Sequence, residues 1–196
     1  MNFLAHIYLS GNNEDIILGN FIADSIKGRK YLKYPPSVQK GIILHRAIDT
    51  YTDSHPIVRT SASKLYKNYS HYSGVIVDIY YDHFLASNWQ DYSEVPLENF
   101  VAEFYKLLQR KFDLLPAPIQ GFLPYMVSEN WLLRYASIEG ISRILYQMNL
   151  RTKNIVQMDK AVNDLQEHYK EFEEEFRSFF PELHKYSDEK LRILLD

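Results

Sequence analysis

An all-α fold, arranged as a single-domain helical bundle over residues 1–196, is what this sequence predicts, and three observations lead there. Apolar residues recur at helical spacing, while strand-like alternation between turn signals is almost absent. Proline, asparagine and glycine fall where helices start and stop. With 46% hydrophobic and 15% aromatic residues, including sixteen Tyr and eleven Phe, the 196-residue chain has enough apolar area to bury a core without disulfides or a structural metal. Any metal site is therefore expected to be functional.

The elements follow in order. Asn12 or Asn13 before Glu14 and Asp15 reads as a capped start, and Gly28 as a stop, for a helix carrying Ile16, Ile17, Phe21 and Ile22. Pro35 and Pro36 open a second helix running to about Asp53, because proline suits the first helical turn. Pro56 marks the next break and starts a short helix. An aromatic-rich helix is expected from about Ser70 to Asn88, with Val75, Ile79, Phe84 and Leu85 on its apolar faces. Pro96 starts another. The Leu115 to Pro124 stretch, with Pro116 and Pro118, reads as a broken connection. Met126 to Tyr135, Ile138 to Leu150 and Ile155 to Phe180 read as three further helices. No repeat, low-complexity tract or Gly/Ser linker divides the chain.

Composition removes several function classes. The absence of cysteine excludes thiolate chemistry and iron–sulfur clusters and fits a reducing compartment, with the cytoplasm as the expected location. Met1 to Ser10 shows no basic leader and no small-residue cleavage pattern, so no signal peptide is expected. Charged residues interrupt every apolar run, so no membrane association is expected, and no nucleic-acid partner is indicated. A net charge of −3 is unevenly spread. Between Ser25 and Ile48 lie Lys27, Arg29, Lys30, Lys33, Lys40 and Arg46 without an acidic residue, whereas Glu167, Glu171, Glu173, Glu174 and Glu175 crowd the other end. The basic stretch is either an ordinary solvated surface or a docking face for an acidic partner.

The densest chemical signal is LHRAIDTYTDSH, holding His45, Asp49, Asp53 and His55. Residues four apart share a helix face, so His45 and Asp49 can meet, with Asp53 a turn further on. DIYYDHF repeats the theme with Asp78, Asp82 and His83. Either pair alone reads as a surface pair or a satisfied core hydrogen bond. Two such groups among large apolar residues need counter-charge, because several buried carboxylates are costly without a metal, an arginine or protonation. Asp24, in GNFIADSIKG, is a third element, with a helix-end hydrogen bond as its plainer reading. His6, among Phe3, Leu4 and Ile7, reads as a core residue rather than a ligand. His55, just before Pro56, reads as a helix cap. Mixed imidazole and carboxylate donors suit Mn²⁺, Mg²⁺, Fe²⁺ or Zn²⁺, and Arg46, Arg59 or Lys27 can hold phosphate oxygens. There is no Gly-rich phosphate loop, no G-x-S-x-G elbow and no nucleophilic cysteine.

Six motifs run in order along nearly the whole chain: MNFLAH at the start, GNFIAD from Gly19, GIILHRAID from Gly41, YTDSHPIVR from Tyr51, DHFL from Asp82 and SENWLLRY from Ser128. Together they resemble the acyl carrier protein phosphodiesterase family. The resemblance implies a Mn²⁺-dependent hydrolase that cleaves the phosphodiester joining a serine of holo-acyl carrier protein to its arm, giving apo-protein and 4′-phosphopantetheine. It also implies a helical fold similar to HD-type phosphohydrolases. It puts Asp24, His45, Asp49, Asp53, Asp78, Asp82 and His83 at motif positions, with Arg46 and Arg59 as phosphate contacts. Asp24, Asp49 and Asp82 are the expected catalytic carboxylates, with Asp49 or Asp82 moving the proton. One departure stands out: the chain has no adjacent His-Asp dipeptide, only the reversed order at Asp82 and His83. This leaves the ligand roles open. Glu129, in SENWLLRY, reads either as a support for ligands or as an ordinary helix residue. Because acyl carrier proteins are acidic, Lys27, Arg29, Lys30 and Lys33 become the expected docking residues. Two alternatives remain: an HD-like enzyme acting on a small phosphoester or nucleotide, and a non-catalytic helical module with a buried polar network.

Overall fold

Ten α-helices joined by 3-10 turns make up the described residues, 1–153 and 155–196 of a computed structural model, with no strand among them. The helices are α1 (Phe3–Tyr8), α2 (Glu14–Ile22), α3 (Pro36–Ser54), α4 (Pro56–Tyr69), α5 (Ser73–Ser87), α6 (Leu97–Arg110), α7 (Ala117–Ser128), α8 (Ile138–Arg151), α9 (Ala161–Glu167) and α10 (Tyr169–Leu195). None is long and apolar enough to cross a membrane.

Helix α5 is the centre of the molecule. Every residue from Ile79 to Ala86 is buried, so it is apolar nearly all round, as a helix enclosed by others must be. Against it lies α10, whose Phe172, Phe176, Phe179, Phe180 and Leu183 recur at helical spacing and are buried. Tyr80 meets Phe172 edge-on at 5.1 Å between ring centroids, and Tyr81 meets Phe176 at 5.6 Å. These offset and edge contacts are the geometries that aromatic quadrupoles favour.

Two contacts position the chemistry described below. The first is the crossing of α2 and α3 at Gly19 and Gly41. A Cβ on Gly19 would lie 2.1 Å from the Val38 carbonyl oxygen, and one on Gly41 would lie 2.3 Å from that of Ile16. Only glycine lets the two backbones come this close. The second is the seat of α1. Asp82 of α5, fully buried, accepts hydrogen bonds from the backbone N–H groups of Asn2 (3.1 Å), Leu4 (2.7 Å) and Ala5 (3.3 Å). A carboxylate from a distant helix thus satisfies donors that the first turn of α1 leaves open.

Several boundaries depart from the sequence-based expectation. The first long helix ends at Ile22, well before Gly28, which instead takes φ +58° at the start of a 3-10 turn, Gly28–Lys33. Helix α4 runs for 14 residues rather than forming a short piece. Ser70 adopts φ +51°, so α5 starts three residues later than expected. Val75 is 37% exposed instead of packed. The segment expected to be a broken connection is α7. Pro118 sits where its missing N–H is not needed, and the exposed Pro124 forfeits one helical hydrogen bond while Ile119, Leu123 and Met126 are buried. Asn130, in the left-handed region at φ +49°, then ends that helix and starts a 3-10 turn, Trp131–Ala136, so Met126 to Tyr135 is not one helix. The expected Ile155–Phe180 helix divides at His168 into α9 and α10.

Candidate metal centre

Three helical segments bring His6, Asn20, His45 and Asp49 together. Helix α1 supplies His6, α2 supplies Asn20, and α3 supplies His45 and Asp49 one turn apart. Asp24 joins from the 3-10 turn Ala23–Ser25 after α2. The imidazoles of His6 and His45 stack with centroids 4.0 Å apart.

Asn20 decides which ring nitrogens carry protons. Its amide nitrogen donates to the His6 carbonyl oxygen (3.0 Å) and to Ser10 Oγ (2.8 Å), while the Ser10 hydroxyl donates to that same carbonyl (2.7 Å). The amide oxygen is therefore turned toward the rings, 2.8 Å from Nδ1 of His6 and 3.1 Å from Nδ1 of His45. An amide oxygen only accepts, so both Nδ1 atoms donate, and in neutral rings both Nε2 atoms present lone pairs.

Those two nitrogens face carboxylates. Nε2 of His45 lies 3.0 Å from Asp49 Oδ2 and 3.1 Å from Asp24 Oδ1, and Nε2 of His6 lies 3.1 Å from Asp49 Oδ1. The His6–Asp49 approach is not aligned as a hydrogen bond, which leaves His6 Nε2 a buried polar atom without a partner. A lone pair aimed at a carboxylate is repulsive unless a proton or a cation lies between them. His6, His45 and Asp49 each offer one ligand atom, all within 4.8 Å of one another, so this group can hold a metal ion. Two imidazoles with a carboxylate suit a divalent transition ion, and the unsatisfied His6 nitrogen fits that assignment. A carbonyl-type oxygen behind both ring N–H groups is the support that metal-bound histidines usually have.

The charges agree. Burial opposes a charge on His45, but its hydrogen bond to Asp24 and its close approach to Asp49 outweigh it and push the ring up to about 9. Burial pushes His6 down to about 4, against the pull of Asp49. Burial would raise Asp49, yet His45 and His6 together hold it well below the usual carboxylate range. The bond from His45 likewise lowers Asp24. In metal-free protein the proton sits on His45. The raised His45 contributes stability that is full below 6.5 and lost as pH rises through about 9, whereas the lowered His6 costs stability as pH falls from 6.5 toward about 4. Below 6.5 the His6 cost is opposed by Asp82, whose carboxyl, raised by burial to about 7, contributes stability that is lost as pH rises from 3.8. The melting temperature of chelator-treated protein should therefore fall as pH rises from 6.5 through about 9, and an unchanged melting temperature over that range would contradict this arrangement.

The cluster lines a cavity of about 560 Å³ whose walls also include Met1, Asp53, His71, Val75, Asp78, Trp131, Arg134, Tyr135, Met148 and Arg151. Of the residues expected at the metal, His45, Asp49 and Asp24 are brought together. Asp53 lines the same cavity but is exposed, and its backbone oxygen accepts from Arg59 Nε at 3.2 Å. The remaining expected ligands are engaged elsewhere. Asp78 Oδ1 accepts from the Met1 ammonium at 2.7 Å, and both Asp82 oxygens are taken by the backbone of α1. His83 places Nδ1 2.7 Å from the Tyr135 carbonyl oxygen and Nε2 3.0 Å from the Tyr169 hydroxyl. Burial pushes Asp82 up to about 7, against the nearby ammonium and the N–H donors.

The arginines expected as phosphate contacts lie away from this cavity. Arg46 donates to the carbonyl oxygens of Ile26 (3.0 Å) and Gly28 (2.8 Å) and lies over the Tyr31 ring, so it anchors the basic loop. Neither Arg46 nor Arg59 lines the cavity. Lys27, Arg29, Lys30 and Lys33 are exposed, just along the chain from Asp24. His55 does cap α4, accepting from Ile57 N–H at 3.3 Å. Two members of the cluster escaped sequence reasoning. His6 looked like core because its neighbours are apolar, although MNFLAH was among the motifs of the resemblance. Asn20 lies in GNFIAD, another of those motifs, but an amide has no ligand spacing to single it out.

A family model described as acyl carrier protein phosphodiesterase matches residues 1–183. Curated proteins of that name are similar over almost their full length. The Yersinia pestis protein is 31% identical over 191 residues, covering 97% of this chain and 99% of its own. The Pectobacterium atrosepticum protein is 30% identical, covering 93% and 95%, and the Salmonella dublin protein 33%, with the same coverage. No solved structure matches.

Proposed function

The chain belongs to the acyl carrier protein phosphodiesterase family, and on that premise we propose that it is a metal-dependent hydrolase converting holo-acyl carrier protein into apo-protein and 4′-phosphopantetheine. The observation that carries this reading is the Asn20 bridge, which leaves two imidazole lone pairs and the Asp49 carboxylate directed into one cavity. The reading treats residues 1–196 as one catalytic domain, similar in its helical His/Asp site to HD-type hydrolases, and acting in the cytoplasm with its carrier-protein substrate.

His6, His45 and Asp49 would hold a divalent ion, Mn²⁺ first and Mg²⁺, Fe²⁺ or Zn²⁺ as alternatives, which when bound would supply Lewis acidity toward water and phosphoryl oxygens. The protein's own groups do the rest. Asn20 keeps both rings in the ligating tautomer. Asp49 fixes their separation. Asp24 is exposed and its Oδ1 lies 3.1 Å from the Nε2 atom that His45 would offer to the ion, so it is the carboxylate placed to pass a proton from attacking water to solvent. Water oxygen bonds to phosphorus, the bond from phosphorus to the carrier serine oxygen breaks, and that oxygen leaves with a proton. Asp78, Asp82 and His83 act in support, since Asp82 seats the helix that carries His6 and Asp78 pairs with the ammonium ahead of it.

Intact-mass analysis of holo-acyl carrier protein tests bond, substrate and cofactor together. Incubation with Mn²⁺ should remove the mass of the arm, and chelator should prevent it. An unchanged mass with each of the four ions would sink the reading.

Lys27, Arg29, Lys30 and Lys33 provide the docking face for the acidic carrier. Reversing their charges should raise KM for the carrier protein on the order of tenfold or more at low salt while sparing a small diester. Equal losses on both substrates would count against docking.

A further inference from the structure

The cavity is divided by charge. Among the described residues its carboxylates, Asp24, Asp49, Asp53 and Asp78, all come from the first half of the chain, whereas its Lys or Arg side chains are Arg134 and Arg151. The two arginines come from adjoining elements. Arg134 lies in the 3-10 turn Trp131–Ala136, and α8 packs tightly on that turn because Gly140 has no Cβ, which would lie 1.9 Å from the Arg134 carbonyl oxygen. On α8 itself, Ile144, Gln147, Met148 and Arg151 all line the cavity. Their spacing of three, one and three is a single helical stripe, so Arg151 ends a face that the helix turns toward the cavity.

Among the described residues, neither guanidinium is fully paired. Arg134 is 12% exposed, and its Nη2 donates to Glu129, but its Nη1 is buried with no hydrogen-bond partner. Arg151 forms no ion pair among the described residues. A buried guanidinium nitrogen without an acceptor is costly and uncommon, and an anion that binds beside it removes the cost. A planar guanidinium suits phosphate oxygens in particular. The arginines expected from sequence for this purpose, Arg46 and Arg59, are outside the cavity.

We propose that Arg134 and Arg151 form the anion-holding wall of the cavity and bind the non-bridging oxygens of the phosphodiester, with Glu129 positioning Arg134. The assignment rests on the phosphodiesterase reading for the identity of the anion, but not for the existence of an anion site.

Calorimetric titration of the Mn²⁺-loaded protein with inorganic phosphate tests it, alongside kcat/KM on holo-acyl carrier protein and Mn²⁺ affinity. Arg151→Gln, at an exposed helix end, and Arg134→Lys, which keeps the charge but loses the fork, should both fold. Each should weaken phosphate binding about tenfold and lower kcat/KM by a similar factor, leaving Mn²⁺ affinity unchanged. Glu129→Gln should weaken phosphate binding less, by freeing Arg134 without removing it. Phosphate affinity and kcat/KM equal to wild type in both arginine variants would overturn the assignment while leaving the enzymatic reading intact. Conversely, a wild type that leaves holo-carrier protein uncut, but whose phosphate affinity depends on both arginines, would keep the anion site and overturn the substrate.

Discussion

Asp49→Ala should abolish stoichiometric Mn²⁺ binding and reduce kcat/KM on holo-acyl carrier protein on the order of a thousandfold, which is about 4 kcal/mol of transition-state stabilisation. The reason lies in the two contacts Asp49 makes. Its Oδ1 faces His6 Nε2 and its Oδ2 faces His45 Nε2, so this one carboxylate links both imidazoles and adds the negative charge a divalent ion needs. Asn20→Leu should act more gently, by about 10- to 100-fold in metal affinity, because it removes the support behind the rings while keeping every ligand. Asp53→Ala supplies the contrast. Asp53 is exposed on the cavity wall, outside the group formed by His6, His45 and Asp49, so metal affinity should change little. Equilibrium dialysis against Mn²⁺, paired with intact-mass assays, separates the three. If Asp53→Ala were as damaging as Asp49→Ala, the ligand set would have to be redrawn.

Gly41→Ala should destabilise the protein by about 3 kcal/mol or more, at or beyond the upper end of ordinary overpacking. The added carbon would lie 2.3 Å from the Ile16 carbonyl oxygen and 2.9 Å from the Asn20 backbone nitrogen. Both are backbone atoms in a helix, which cannot rotate aside as a side chain does. Helices α2 and α3 would have to separate, and their separation would stretch the 3.1 Å bond between Asn20 and His45. Lost stability and lost metal affinity should therefore appear together. Gly121→Ala is the control, since a Cβ there meets nothing within 4 Å and alanine is the better helix former. Thermal denaturation of both variants, with and without Mn²⁺, reads the difference. A Gly41→Ala protein as stable as wild type would mean that the close crossing does not hold the site together.

The parts of the site legible in the sequence were those set by local geometry. His45 and Asp49 share a face because residues four apart on a helix do, and that pair meets in the structure. The same local rules found the Asn13 cap of α2 and the proline starts of α3, α4 and α6. They failed on α1, which at six residues is too short to persist alone and depends on Asp82 for its N-terminal hydrogen bonds. They failed also on α7, where buried Ile119, Leu123 and Met126 outweighed three prolines that looked like breaks.

Asp82 shows the difficulty most clearly. A carboxylate buried among apolar residues needs compensation, and the sources expected from sequence are a metal, an arginine or protonation. The compensation came from backbone N–H groups some eighty residues away in the chain. Composition and spacing determined that the chain is all-helical, where most helices begin, which residues share each face, and that His45 and Asp49 form a pair. Tertiary structure alone brought His6, rather than Asp82 or His83, beside that pair, set the Asn20 amide oxygen against both rings, and put Arg134 and Arg151 on the cavity wall. Helical periodicity specifies the contents of a face. Which faces meet is settled by long-range packing, here by two glycines and a buried carboxylate, and a ligand set is defined only once those faces have met.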